Sequence, residues 1–187
     1  MGRVWIPNWI RLTRKGHLVL RGVQMKMTLG HDDEITCVKA ALVRIERTDE
    51  RPDGAKRYDT GLNFPEYVAQ YAETIASELI VARYFGVDYD PFESKYKDHA
   101  DVGAGIEVKY TPYIQGQLIV HEYDRPNDIA VLVTGKSPHY FIAGWIPIAM
   151  AKRPKYRHSK QPNWWVTQIN LQPIENLRRS TYGNAAI

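Results

Sequence analysis

The sequence predicts a mixed α+β domain with strands in the majority, and three observations carry that expectation. One long segment, residues 65–85, has clear helical spacing. Around it lie short β-branched and aromatic runs separated by glycine- and proline-bearing turns. The chain has 187 residues, 44% hydrophobic and 25% charged, which suits one globular core and excludes wholesale disorder or a fibrous chain.

Residues 17–27 (HLVLRGVQMKM) read as a strand with a break at Gly22. Residues 35–47 (ITCVKAALVRIER) are apolar and partly β-branched, so a strand is expected, although Ala40, Ala41 and Leu42 leave a helix open. The polar stretch 48–63 holds the turn Pro52-Asp53-Gly54. It closes an N-terminal β-rich section, residues 1–60, ahead of a core over 61–187, the two forming one unit.

The helix over 65–85 has Asn63 as its cap, Pro65 in its first turn, and Gly86 at its end. Val68, Ala72, Ile75, Leu79 and Ala82 make its apolar stripe. Residues 87–98 read as a loop. Residues 99–102 and 106–111 flank Gly103-Ala104-Gly105 as a hairpin. Residues 117–121, 129–134 and 140–145 read as further strands or buried segments, 151–163 as a basic loop, and 164–172 as a last strand.

Charge is distributed unevenly. Residues 1–30 carry a net +6, residues 31–135 a net −9, and residues 136–187 a net +7. A solvated surface is the plain reading. The sharper one is a polyanion held by basic ends while central acids act on it with a metal. The single cysteine, Cys37, excludes an intrachain disulfide and a multi-cysteine zinc site, and the histidines show no paired zinc spacing. No apolar run approaches the roughly 20 residues that span a bilayer. No signal-peptide pattern opens the chain, so a cytoplasmic protein without membrane attachment is expected. No internal repeat and no P-loop signature is present.

The chemistry centres on Ile106–Thr111. In a strand, Ile106, Val108 and Tyr110 face the core, while Glu107 and Lys109 share the opposite face. Asp101 and Glu107 each stand three residues from Ala104. A turn centred there sets them opposite each other, with Cβ atoms roughly 5 Å apart. Two carboxylates that close need a proton or a cation between them, and a hard divalent cation is the natural guest. A neighbouring lysine can orient a metal-bound water and counter charge on a phosphate. An exposed strand face with a Glu–Lys ion pair is the alternative. Asp90-Pro91-Phe92-Glu93-Ser94-Lys95 offers the same residue types, but Pro91 rules out a central strand there. On the helix, Glu78 borders the apolar stripe and leans toward the following sheet, or snorkels; Glu73 lies opposite the stripe and is expected in solvent.

The series Glu78, Asp101, a glycine turn, then Glu107-Val108-Lys109 resembles the PD-(D/E)XK nuclease superfamily, over about residues 65–145. Ala100 stands where many members carry proline, and Tyr140–Ile146 is similar to small phage-type members. The resemblance implies a restriction-endonuclease-like mixed central sheet flanked by helices. It also implies DNA phosphodiester hydrolysis with Mg2+, for which Mn2+ substitutes. Asp101 and Glu107 become metal ligands, Lys109 the catalytic lysine, and Glu78 a helix carboxylate aiding metal or water. A phage member would work in the host cytoplasm. Whether such an enzyme cuts internally or from ends stays open, as does a homodimer. The alternatives are a non-catalytic nucleic-acid-binding protein retaining the fold and a hydrolase of small phosphate substrates.

Around this centre, Lys152, Arg153, Lys155, Arg157 and Lys160 are the phosphate-contact candidates. Trp164 and Trp165 read first as partly buried anchors and second as base-stacking rings. Gln115 and Gln117 suit a turn or the site wall. His121 suits a structural role ahead of a metal one, and Cys37 suits the core.

Overall fold

The computed structural model describes residues 24–49, 61–93 and 99–187, and the backbone pairing of two short strands, Ile10–Leu12 (β1) and Leu18–Leu20 (β2). Gly22, the Pro52-Asp53-Gly54 turn and Lys95 lie outside the described residues. The strand expected at 17–27 is met by β2 and by Met25–Thr28 (β3).

The strand expected at 35–47 is instead a helix, His31–Asp49 (α1), so the N-terminal section is not uniformly β. Periodicity decides it. Cys37, Ala40, Ala41, Arg44 and Ile45 are buried, a spacing of three and four, whereas a strand would bury alternate residues. Asp32, Asp33 and Glu34 in the first turn suit the positive end of the helix dipole. The β-branched content of the segment is a weaker term than packing against the next helix.

That next helix, Phe64–Phe85 (α2), is the one expected. Asn63 caps it through a capping box: its side chain accepts from the Glu66 N–H at 3.0 Å, and its own N–H donates to the Glu66 carboxylate at 3.0 Å. Such a cap stabilises by about 1 kcal/mol. Gly86 ends the helix in the left-handed conformation, φ 66°, where a side chain would be strained. Every residue from Ile75 to Ala82 is buried, because α2 lies between α1 and the sheet. Arg83 pairs with Asp33 through two bonds of 2.5 Å, tying the two helices at a half-exposed edge.

The remaining strands are Ile106–Thr111 (β4), Leu118–His121 (β5), Ile129–Lys136 (β6), His139–Pro147 (β7) and Asn163–Val166 (β8). The main sheet runs β3-β7-β6-β4. Only the β4–β6 pair is parallel, and β5 pairs with β8 in a separate two-stranded sheet. The architecture is therefore mixed α+β with a mixed four-stranded sheet, as expected. The strand read at 164–172 is only partly present, since residues 168–170 turn into a 3-10 helix.

Each face of the main sheet carries a core. Ile106, Val108, Val131, Val133 and Ile142 pack with α1, α2 and the C-terminal segment. Ala130, Leu132, Ala143 and Ile146 pack with β5 and β8. Along β7 the alternation slips by one residue at Gly144, where the register with β6 shifts. Gly144 has φ 145°, and a Cβ there would lie 2.6 Å from the Gln172 carbonyl, so the bulge requires glycine.

Asp101 and Glu107 are aligned by a one-bridge hairpin in which Val102 and Ile106 exchange both backbone bonds at 3.1 Å. The C-terminal helix Thr181–Ala186 closes onto this turn: the Ala186 carbonyl accepts from the N–H groups of Ala104 and Gly105 at 2.9 and 3.2 Å. Gly103 has φ 59°, and a Cβ there would meet that carbonyl at 2.6 Å. Gly103→Ala is therefore expected to cost about 1–3 kcal/mol, lowering the thermal midpoint by about 2–10 °C. An unchanged midpoint in a melting experiment would contradict this clamp.

Candidate active site

β4 is an edge strand, and its outward N–H groups need partners. Beyond the bridge at Ile106, the next outward N–H, that of Val108, donates to Asp101 Oδ2 at 2.7 Å. Asp101 thus continues the ladder with its side chain and is held beside Glu107. Alternation along β4 sends Ile106 and Val108 into the core and sets Glu107 and Lys109 on the other face, as expected.

These side chains open into a cleft of about 1280 Å³ between α2 on one side and β5 and β8 on the other. Glu78, Asp101, Glu107 and Lys109 all line it. Burial is the largest cause that raises the Asp101 carboxyl above its ordinary range, and the nearby Glu78 charge adds to it. Burial likewise raises Glu107, with the Asp101 charge next. Each is pushed up to about 7. Burial alone would lower Lys109, but Glu107 and Asp124 outweigh it, so its ammonium stays charged through neutral pH.

Asp124 was not foreseen from sequence. Its side chain is fully buried and stands 3.0 Å from Lys109 Nζ, closer than Glu107 at 3.4 Å. The His121 N–H donates to Asp124 Oδ2 at 2.8 Å, and Lys152 Nζ donates to the carbonyls of Glu122 and Asp124 at 2.8 and 2.5 Å. The turn after β5 is thereby pinned, and Asp124 anchors the lysine. The one sequence signal was an acid in a proline-bearing turn directly after a strand.

Glu78 is buried in α2 at the cleft wall, as its place beside the apolar stripe indicated. Arg44 Nη1 and the Tyr89 hydroxyl donate to its Oε2 at 3.2 and 2.5 Å, and Arg44 also donates to Tyr89 at 3.0 Å. The sequence gives no sign of Arg44, because a strand over 35–47 would not lay it along α2. Glu73 departs from expectation: it is half-buried against the sheet. It accepts from the hydroxyls of Tyr110 and Tyr140 at 3.1 and 2.7 Å and from the Ser137 N–H. A helix enclosed on two sides has less solvent-facing arc than a single stripe implies.

Of the five basic candidates, Lys152 is engaged with backbone carbonyls as described, and Arg157 lies over the Trp164 ring at 4.4 Å. Arg153, Lys155, Arg157 and Lys160 are exposed, with Lys155 over the Tyr156 ring at 4.5 Å. Trp165, Gln115, Gln117 and His121 line the cleft. Burial lowers the His121 imidazole below its ordinary range, and its ring stacks on Tyr123 at 5.2 Å. Asp90 sits in a turn, accepting from the Phe92 N–H at 2.9 Å, so this segment is not a strand at Asp90–Phe92. Cys37 is buried in the core, as expected.

Among the described residues, no three His, Cys, Asp or Glu side chains converge as a complete metal cage. What the cleft offers is a buried pair of carboxylates whose mutual repulsion a cation would relieve. Such a donor set fits a small hard cation that keeps part of its water shell. Among the described residues, no helix is long and apolar enough to cross a membrane. No family model, curated protein or solved structure matches the chain.

Proposed function

We propose that the protein is a metal-dependent DNA nuclease of the PD-(D/E)XK type. The observation that carries this reading is the meeting of Asp101, Glu107 and a charged Lys109 in one cleft, with Glu78 in the same wall. The cleft exceeds the roughly 300–1,000 Å³ of most small-molecule sites, which favours a polymeric substrate. Asp101 and Glu107 would hold magnesium, or manganese in its place. The metal, when bound, supplies a water of lowered pKa and neutralises phosphate charge.

The chain's own residues do the rest. Lys109 remains protonated, so it is a hydrogen-bond donor and not the base. Its ammonium orients the attacking water and balances charge that grows on the phosphate oxygens. Asp124 holds that ammonium in place, and Arg44 with Tyr89 holds the Glu78 carboxylate. Exposed Arg153, Lys155 and Lys160 contact phosphates away from the point of cleavage.

The test is cleavage of labelled plasmid, linear and single-stranded DNA in magnesium, manganese or a chelator, with calorimetric titration of each metal. Wild type is expected to cleave only with metal, and Asp101→Ala and Glu107→Ala to lose metal affinity and cleavage together. Unchanged metal affinity in both variants removes the metal assignment. Absence of cleavage on every substrate removes the enzyme and leaves the binding protein.

A further inference from the structure

The wall of the cleft opposite α2 is aromatic, and the proposed chemistry makes no use of it. Tyr113 is 74% exposed and Tyr123 59% exposed, both at the cleft. Tyr123 lies nearly parallel to the His121 ring, at 2°. Trp165 lines the same wall from β8. Its ring N–H is already satisfied by Asn163 Oδ1 at 2.8 Å, and its indole stacks on His158 at 4.7 Å. Trp164, its neighbour, is used differently, lying under Arg157 and Lys152. The two tryptophans therefore divide between a packed anchor and a cleft-lining ring.

The two tyrosine rings, exposed beside a candidate reactive centre, call for a ligand with flat apolar faces, and the part-buried Trp165 adds a fixed edge to them. Bases in a duplex are stacked on each other and keep their faces from such rings, whereas an unpaired strand presents them. The ring of His158 stacks on Trp165, and the Lys160 N–H donates to His158 Nδ1 at 3.3 Å, so the basic segment joins the cleft at this ring. Gln115 and Gln117 in the same wall offer amides to base edges.

We infer that Tyr113, Tyr123 and Trp165 form a base-stacking wall that makes unpaired DNA, a single strand or the open arm of a branched molecule, the substrate of this cleft. The inference rests on the nuclease reading for its chemistry but not for its binding test.

The test is fluorescence anisotropy in a chelator, with a labelled oligothymidylate and a blunt duplex of equal length at matched salt. Wild type is expected to bind the single strand at least about tenfold more tightly. Tyr113→Ala and Tyr123→Ala are each expected to weaken single-strand binding by about tenfold and to leave its salt dependence unchanged, since stacking releases no counterions. Tyr113→Phe and Tyr123→Phe, which keep the rings, should bind like wild type. Both tyrosines are exposed, so their replacement leaves the core intact. Equal or tighter duplex binding, or unchanged affinity in both alanine variants, overturns the inference. Cleavage of duplex by a protein that fails this binding test leaves the nuclease reading standing alone. Ring-dependent single-strand binding without cleavage in magnesium or manganese supports the stacking wall and ends the nuclease reading.

Discussion

Lys109→Ala is expected to lower single-turnover DNA cleavage by about 10²–10³-fold, the effect of removing one well-placed donor to developing charge. Metal and DNA affinity should change little by comparison, because in the proposed mechanism the ammonium would act where charge grows in the transition state. The geometry sharpens this. Lys109 sits 3.0 Å from a fully buried Asp124 and 3.4 Å from Glu107, so it is not a mobile surface cation. Asp124→Asn keeps the shape of the anchor but removes its charge, and an intermediate loss of rate is expected. Rapid-quench cleavage and equilibrium binding on the same variants separate the two effects. Normal cleavage by Lys109→Ala would take the catalytic role from this lysine while leaving the fold untouched.

How much of this was legible depended on whether the signal was local. The α2 boundaries, its Asn63 cap and its Gly86 end are written in neighbouring residues, and they are found where expected. So is the pairing of Asp101 with Glu107, because a tight turn converts symmetric spacing into spatial opposition. For α1 composition favours a strand and only leaves a helix open, because Ile35, Thr36, Val38 and Val43 are β-branched, while its buried positions follow a helical period. Arg44 has no local signal either, because its contact with Glu78 joins residues 34 apart. Glu73 was misplaced for a related reason: nothing local says that α2 is covered by a helix on one side and a sheet on the other. Asp124 could not be found by spacing, because its tie to Lys109 depends on where β5 leaves the chain relative to β4.

The acidic pair makes the metal-free protein sensitive to pH in an unusual direction. Both Asp101 and Glu107 are raised above their ordinary values in the fold, chiefly by burial and then by neighbouring acids. The folded chain therefore keeps protons that the unfolded chain has already released. Stability from this source is complete below about pH 4 and is lost as pH rises through about 7. In a chelator, the melting temperature is therefore expected to fall between pH 5 and pH 8. Asp101→Asn still offers an acceptor to the Val108 N–H but removes one charge. It should flatten the profile and melt above wild type at pH 8. Saturating magnesium at pH 8 should raise the wild-type midpoint and leave Asp101→Asn unmoved, because only a ligand bound to the fold stabilises it. A wild-type profile that is flat across this range, or a magnesium response preserved in Asp101→Asn, would show that these two carboxylates neither share a proton nor hold the metal.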